Sequence, residues 1–186
     1  MKVVGVYGSP RKGGNTDVLL DNVLKGTLEQ GADIKKIFVR DLNISGCRAC
    51  DGCKKTGKCV IDDDMQDIYA ILYKADIVLL SSPIFFYGMT SQIKSLIDRA
   101  QAMWWKTRID GKTIDNTGKG YLIAAGATKG KNLFEGVQLV SRYFFDALAM
   151  RYEGGLFFRG MESYGDAENN SEAMQKTYNL GKDIVI

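Results

Sequence analysis

The 186-residue sequence contains no histidine. This absence excludes a serine or cysteine nucleophile activated by histidine, a histidine general base and a histidine-ligated metal. No apolar run is long enough to span a membrane, and the first residues lead directly into a strand-like segment. We therefore expect a cytoplasmic protein without a signal peptide or membrane association. Its chemistry must come from carboxylates, thiols, tyrosines or a bound cofactor.

The chain also lacks a large excess of charge of either sign. The 25 Lys and Arg residues exceed the 22 Asp and Glu residues by three, and the charges are interspersed, so nucleic acid is not an expected partner. Hydrophobic residues make up 45% of the chain and charged residues 25%, as in an ordinary globular protein. The length suits one domain with a sizeable core, over residues 1–186.

Strand-like and helix-like segments alternate along the chain. The patterns predict strands at 3–7, 33–39, 76–82, 121–125 and 152–158. They predict helices from Thr16 to the stop at Gly31 and over 65–74, 90–103, 133–149 and 168–183. This alternation indicates an α/β fold with a doubly wound, five-stranded parallel sheet in the flavodoxin-like order 2-1-3-4-5. A Rossmann domain is the competitor, but its glycine-rich turn is missing after the first strand.

The sequence also predicts the apolar face of the first helix, the cap of the second helix and one long connection. We expect Leu28 on the apolar face of the first helix, with Leu20, Val23 and Leu24. Asp64 is expected to cap the helix over 65–74. Residues 104–119, which follow the helix over 90–103, are interpreted as a long connection.

Three loops are expected at the carboxyl edge of the sheet, where ligands bind in doubly wound folds. The first, 8–16, is rich in glycine and small polar residues and opens into a helix, which favours a phosphate over a plain turn. The second, 82–90, carries aromatic residues that suit a flat apolar ligand, although Phe85 and Phe86 could instead fill the core. The third is the small-residue bend at 126–130. Together the loops predict a mononucleotide site with a flat ring.

These loops, together with Ile97-Asp98-Arg99, resemble the NADPH-dependent FMN reductase superfamily. The cysteine-rich loop at 45–62, which runs into Asp63-Asp64-Met65, resembles the iron–sulfur flavoprotein branch of that superfamily. The resemblance covers residues 1 to about 130. It implies FMN as cofactor, with the phosphate held by Ser9, Arg11, Asn15 and Thr16. It also implies that the isoalloxazine is lined by Pro83, Ile84, Phe85, Phe86, Tyr87, Gly88, Gly126, Ala127 and Thr128.

The only four cysteines of the chain stand close together, with the spacing Cys47-x2-Cys50-x2-Cys53-x5-Cys59. Three cysteines stepped in this way can bind three corners of a [4Fe–4S] cluster while the fourth binds the last corner. Structural zinc usually takes two separated cysteine pairs, and disulfides would be reduced in the cytosol. A flavin reductase that retains the motif without a cluster stays open as a third alternative.

The expected function is therefore an FMN-dependent oxidoreductase, with chemistry on the flavin and no catalytic side chain. The resemblance implies NAD(P)H or a ferredoxin as donor and small oxidants as acceptors. The alternatives are a cluster-free NAD(P)H:FMN or quinone reductase and a non-enzymatic redox carrier or sensor. We also expect a homodimer or homotetramer, in which a neighbouring subunit packs against Trp104 and Trp105.

Overall fold

Five parallel strands form one sheet, in the order β2-β1-β3-β4-β5. The structure is a computed structural model that describes residues 1–113 and 118–185. The strands are β1 (Lys2–Tyr7), β2 (Asp33–Phe38), β3 (Ile77–Pro83), β4 (Lys119–Gly126) and β5 (Arg151–Arg159). The helices are α1 (Asn15–Glu29), α2 (Met65–Tyr73), α3 (Ser91–Arg99), α4 (Gln101–Ile109), α5 (Glu135–Ala147) and α6 (Ser171–Asp183), with a 3-10 turn at Val39–Asp41. The predicted fold class and strand order are confirmed.

The helices cover both faces of the sheet and enclose two apolar cores. One core lies under α2, α3, α4 and α5, and the other lies under α1 and α6. Strand β3 is buried along its first six residues, as its uninterrupted apolar sequence predicts for a central strand. Within the described ranges, no helix is long and apolar enough to cross a lipid bilayer.

Three details of the sequence interpretation were wrong. Leu28 does not lie on the apolar face of α1, because its side chain is mostly exposed near the end of the helix. Asp64 occupies the N-cap position of α2, but it accepts a hydrogen bond from the Asn43 N–H at 2.6 Å instead of capping the helix. The connection predicted from residue 104 begins later, because α4 continues to Ile109. Residues 114–117 of that connection lie outside the described residues.

Candidate functional site

The first predicted loop leaves β1 at Gly8, between β3 and α3. The Gly8 N–H donates to the Ser81 carbonyl at 2.8 Å, and the Thr90 hydroxyl donates to the Gly8 carbonyl at 2.6 Å. A Cβ atom at Gly8 would lie 2.6 Å from the Ser81 oxygen and equally close to the Ile93 side chain. Glycine is therefore required here for the loop to turn out of the sheet.

The loop ends where α1 begins, and it presents unpaired donors there. Thr16 is buried, and its Oγ1 has no hydrogen-bond partner among the residues that the structure describes. The N–H groups of Asp17 and Val18 already donate to the Gly14 carbonyl, at 2.9 Å and 3.1 Å. The N–H groups of Asn15 and Thr16 have no partner within α1, and the helix dipole makes this end positive. An anion with several acceptor oxygens, such as a phosphate, satisfies these donors.

A buried ion pair holds this loop from behind. The Arg40 guanidinium lies 2.9 Å from the Asp17 carboxylate and also donates to the Ser9 carbonyl at 3.2 Å. Asp17 in turn accepts a hydrogen bond from the Gly13 N–H at 3.1 Å. Burial raises the pKa of Asp17, although the charge of Arg40 lowers it. Both ends of the loop are thus fixed by one side-chain pair.

A cavity of about 230 Å³ opens at the carboxyl edge of the sheet, between the loops that follow β1, β3, β4 and β5. Pro10 and Pro83, the only prolines of the chain, both line it, and each restricts the backbone of its loop. Nine of the predicted flavin-site residues also line it: Ser9, Arg11, Asn15, Thr16, Pro83, Ile84, Phe85, Gly126 and Ala127. The structure therefore brings the predicted phosphate and ring loops together at one cavity.

Four predicted ring contacts do not line this cavity, namely Phe86, Tyr87, Gly88 and Thr128. Phe86 and Tyr87 form the tip of a tight turn closed by two hydrogen bonds between Phe85 and Gly88, and both have positive φ angles, 49° and 60°. Phe86 is fully exposed and Phe85 is 47% exposed, so neither fills the core. Tyr87 extends across Gly130, where an added Cβ would meet its hydroxyl.

Sequence reasoning missed one wall of the cavity, which is formed by Met161, Glu162 and Tyr164 after β5. Asn15 holds this segment with both ends of its amide: Nδ2 donates to the Ser163 carbonyl at 2.9 Å and Oδ1 accepts from the Ala167 N–H at 3.1 Å. These contacts give Asn15 a structural role in addition to the predicted phosphate contact. The available signal was the position of this segment after the fifth strand, at the same edge of the sheet.

Arg11 contacts the same wall. Its guanidinium donates to the Glu162 carbonyl at 3.2 Å and lies over the Tyr164 ring, 5.8 Å from the centroid. The side chain is exposed, so its charge is available at the mouth of the cavity. This position suits an anionic ligand.

The four cysteines lie at a second, smaller cavity of about 40 Å³, which all of them line: Cys47, Cys50, Cys53 and Cys59. All four thiols are free. Ala49 and Asp51, on either side of Cys50, have positive φ angles of 51° and 60°, which turn the chain sharply around that cysteine. The other wall comes from the end of α3 and the start of α4, where Arg99, Gln101 and Ala102 line the cavity.

The electrostatics of this cavity couple the four thiols. Burial raises the pKa of Cys53, and the charges of Cys59, Cys47 and Cys50 raise it further, against a backbone hydrogen bond that lowers it. Four free thiols at one cavity are the donor set of a thiolate-bound metal centre. Over the ranges 1–113 and 118–185, however, no three Cys, Asp or Glu side chains are arranged to hold a metal ion.

Comparison with known proteins relates this chain to a family. Residues 1–152 match the sequence profile of NADPH-dependent FMN reductase. The chain is 30% identical over 192 residues to an iron–sulfur flavoprotein of Methanocaldococcus jannaschii, covering 99% of this chain and 95% of the relative. It is 27% identical over 192 residues to a Bacillus subtilis protein named as an NAD(P)H-dependent FMN-containing oxidoreductase, covering 98% and 97%.

Among solved structures, the fold is similar to that of the NAD(P)H:quinone oxidoreductase from Methanothermobacter marburgensis. The TM-score of this match is 0.75, with 15% sequence identity and coverage of 98% of this chain and 95% of the other. At that identity the likeness shows the fold alone. The profile and the full-length relative show more: the chain belongs to the NADPH-dependent FMN reductase family.

Proposed function

We propose that this protein is an FMN oxidoreductase that also carries a [4Fe–4S] cluster in its cysteine loop. The family supports an FMN-dependent NAD(P)H oxidoreductase. The cluster and the electron partners are proposed in addition to what the family supports. The observation that carries the proposal is that one chain contains a cavity suited to a mononucleotide and a separate cavity lined by four free cysteines.

The flavin cavity has distinct regions for a phosphate and for a ring. The buried Thr16 hydroxyl and the first amides of α1 would bind the phosphate, with Ser9, Arg11 and Asn15 beside them. Pro83, Ile84 and Phe85 would line one side of the ring, and Gly126 and Ala127 would line another, with Met161 and Tyr164 across the opening. Phe86, Tyr87, Gly88 and Thr128 stand outside this cavity, and their predicted contacts would require a ring that extends beyond it.

FMN supplies two-electron chemistry when bound, and the side chains of this protein position it rather than react. Cys47, Cys50, Cys53 and Cys59 would hold the cluster, which passes one electron at a time. We propose that the donor is NAD(P)H or a ferredoxin and that the acceptors are small oxidants. The same domain, residues 1–186, would carry both cofactors and assemble as a homodimer or homotetramer.

A cluster-free reductase is the second candidate. It is favoured by the absence of a converged metal-ligand group in the two described ranges and by the Bacillus subtilis relative, whose name includes FMN and no cluster. The two candidates differ in iron content, and both keep the same flavin cavity.

The test compares wild-type protein, Cys59→Ser and the control Thr56→Ser, all purified and reconstituted without oxygen. We expect four irons per chain in the wild type and the control and no intact cluster in Cys59→Ser, with FMN retained in all three. Reduction by a one-electron protein donor should slow in Cys59→Ser, while direct chemical reduction of the flavin should not change. Wild-type protein with FMN but no iron would contradict the cluster and support the cluster-free reductase.

A further inference from the structure

Arg99, at the end of α3, is a cation that the fold buries completely. Its side chain has no exposed surface, and it is the largest of the fully buried side chains. Removing a guanidinium from water is costly unless charges and acceptors inside the protein replace the lost hydration. The contacts of Arg99 should therefore account for each of its donors.

Four of its five N–H groups have partners. Two form a bidentate pair with the Asp63 carboxylate, at 2.7 Å and 3.0 Å. The other two donate to the Ser45 carbonyl at 2.9 Å and the Ile61 carbonyl at 3.3 Å. Ser45 precedes the first cysteine and Ile61 follows the last, so Arg99 ties both ends of the cysteine loop to one point.

The fifth donor is unused. Arg99 Nε is buried and has no hydrogen-bond partner in the part of the chain that the structure describes. An unpaired buried donor is uncommon in folded proteins, because burial removes its water and nothing replaces the lost hydrogen bond. Arg99 also lines the cavity that the four cysteines share. An acceptor placed in that cavity would complete the hydrogen bonding of the guanidinium.

Sulfur ligands of a metal cluster are such acceptors, and they carry negative charge. Hydrogen bonds to the sulfurs and the net charge around a cluster set its reduction potential. The buried guanidinium supplies a donor, and solvent and salt screen its ion pair with Asp63 only weakly. The exposed loop cations such as Lys58 are screened and should have a much smaller effect.

We propose that Arg99 donates its Nε–H to the thiolate-bound group in the cysteine cavity and raises the reduction potential of that group. This inference rests on the proposed cluster and adds a residue that binds and tunes it. Asp63 keeps the guanidinium oriented through its bidentate pair.

The test uses Arg99→Lys, which retains the charge but has no guanidinium Nε–H, and the double variant Arg99→Met with Asp63→Leu, which removes the whole buried pair. Lys58→Met is the control for loss of an exposed cation from the same loop. The readouts are iron per chain, melting temperature and the midpoint potential of the iron-loaded protein, measured by an anaerobic titration with electron paramagnetic resonance detection.

We expect a lower midpoint potential in Arg99→Lys and in the double variant, both of which lack the Nε–H, and no change in Lys58→Met. Iron-loaded variants of Arg99 with the wild-type potential would overturn the inference and leave the cluster in place. Wild-type protein that binds no iron would overturn both the cluster and the inference. The double variant avoids a buried unpaired carboxylate, so it keeps the test valid if Arg99→Lys does not fold.

Discussion

Thr16 is the residue at which the proposed phosphate site can be tested most clearly. Its hydroxyl is buried and unpaired in the described structure, so the loss of that hydroxyl should not weaken the folded chain. We predict that Thr16→Val keeps the melting temperature and weakens FMN binding by about 1.5–3 kcal/mol, the value of a hydrogen bond to a charged group. Flavin fluorescence quenching measures the affinity.

Thr27→Val is the matched control for Thr16→Val. Thr27 is also buried on α1, but its hydroxyl donates to the Leu24 carbonyl and it does not line the flavin cavity. FMN affinity should be unchanged in this variant. Wild-type affinity in Thr16→Val would mean that the phosphate does not lie at the start of α1.

The Asp63 carboxyl should make the free energy of unfolding depend on pH. Burial alone would raise the pKa of its carboxyl, but the hydrogen bonds from Arg99 and the Ser45 N–H hold it below the ordinary value. A lowered folded-state pKa adds stability above the unfolded pKa of about 3.9, and that stability is lost as the pH falls through the folded value. Asp63→Asn should therefore cost about 3–5 kcal/mol at neutral pH, because it leaves Arg99 buried without its counter-charge.

The unfolding free energies of wild type and Asp63→Asn should converge as the pH drops below about 4. The exposed neighbour variant Asp62→Asn should follow the wild type throughout. Denaturant titrations between pH 3 and pH 7 measure all three. A constant difference between wild type and Asp63→Asn over this range would contradict the assignment of the buried pair.

Residue types predicted which residues share one cavity better than they predicted individual contacts. Ser9 and Thr16 belong to the connection and helix that follow β1, and Pro83 ends β3, so strand order was enough to bring them together. The contacts of Asn15 could not be predicted as fully, because its partners at Ser163 and Ala167 are 148 and 152 residues away along the chain. The sequence identified Arg99 and Asp63 only as members of two family motifs. It did not predict their ion pair, whose importance comes from its burial.

At the scale of elements, the strands were predicted within one or two residues, and the helix after β3 was not. The chain continues from α3 into α4 through Ala100, which has φ −62° and ψ −6°. Trp104 is partly buried against the core, and Thr107 is fully buried with its hydroxyl bonded to the Met103 carbonyl. Tertiary packing therefore extends a helix through a segment whose polar sequence indicated a connection.

The contact between α1 and α6 depends on the absence of side chains at Gly26 and Gly181. A Cβ on Gly181 would lie 2.0 Å from the Val23 carbonyl oxygen, and one on Gly26 would lie 2.4 Å from the Tyr178 carbonyl oxygen. We predict that Gly181→Ala lowers the free energy of unfolding by about 1–3 kcal/mol, because the two helix backbones must separate. Urea denaturation measures the change.

Gly46→Ala is the control, since nothing lies within 4 Å of a Cβ there. Its stability should match that of the wild type. In an exposed helix, glycine to alanine would stabilise by roughly 0.5–1 kcal/mol. A gain of that kind in Gly181→Ala would show that α1 and α6 do not approach each other this closely.

At the scale of the whole molecule, α3 connects the two cavities. Thr90 caps its first turn and donates to the Gly8 carbonyl beside the phosphate loop, while Arg99 ends it at the cysteine loop. Nine helical residues span about 13 Å, so one short helix joins the Gly8 carbonyl to the cysteine loop.

The family and the cavity at the carboxyl edge make FMN the central claim. The proposed phosphate site at that cavity is a single loop, so a mononucleotide is expected rather than a dinucleotide. The most direct measurement is chromatography of the flavin released by heat from purified protein, with the amount expressed per chain. The account predicts FMN at one molecule per chain. Recovery of FAD, or of no flavin after incubation with excess FMN, would contradict it.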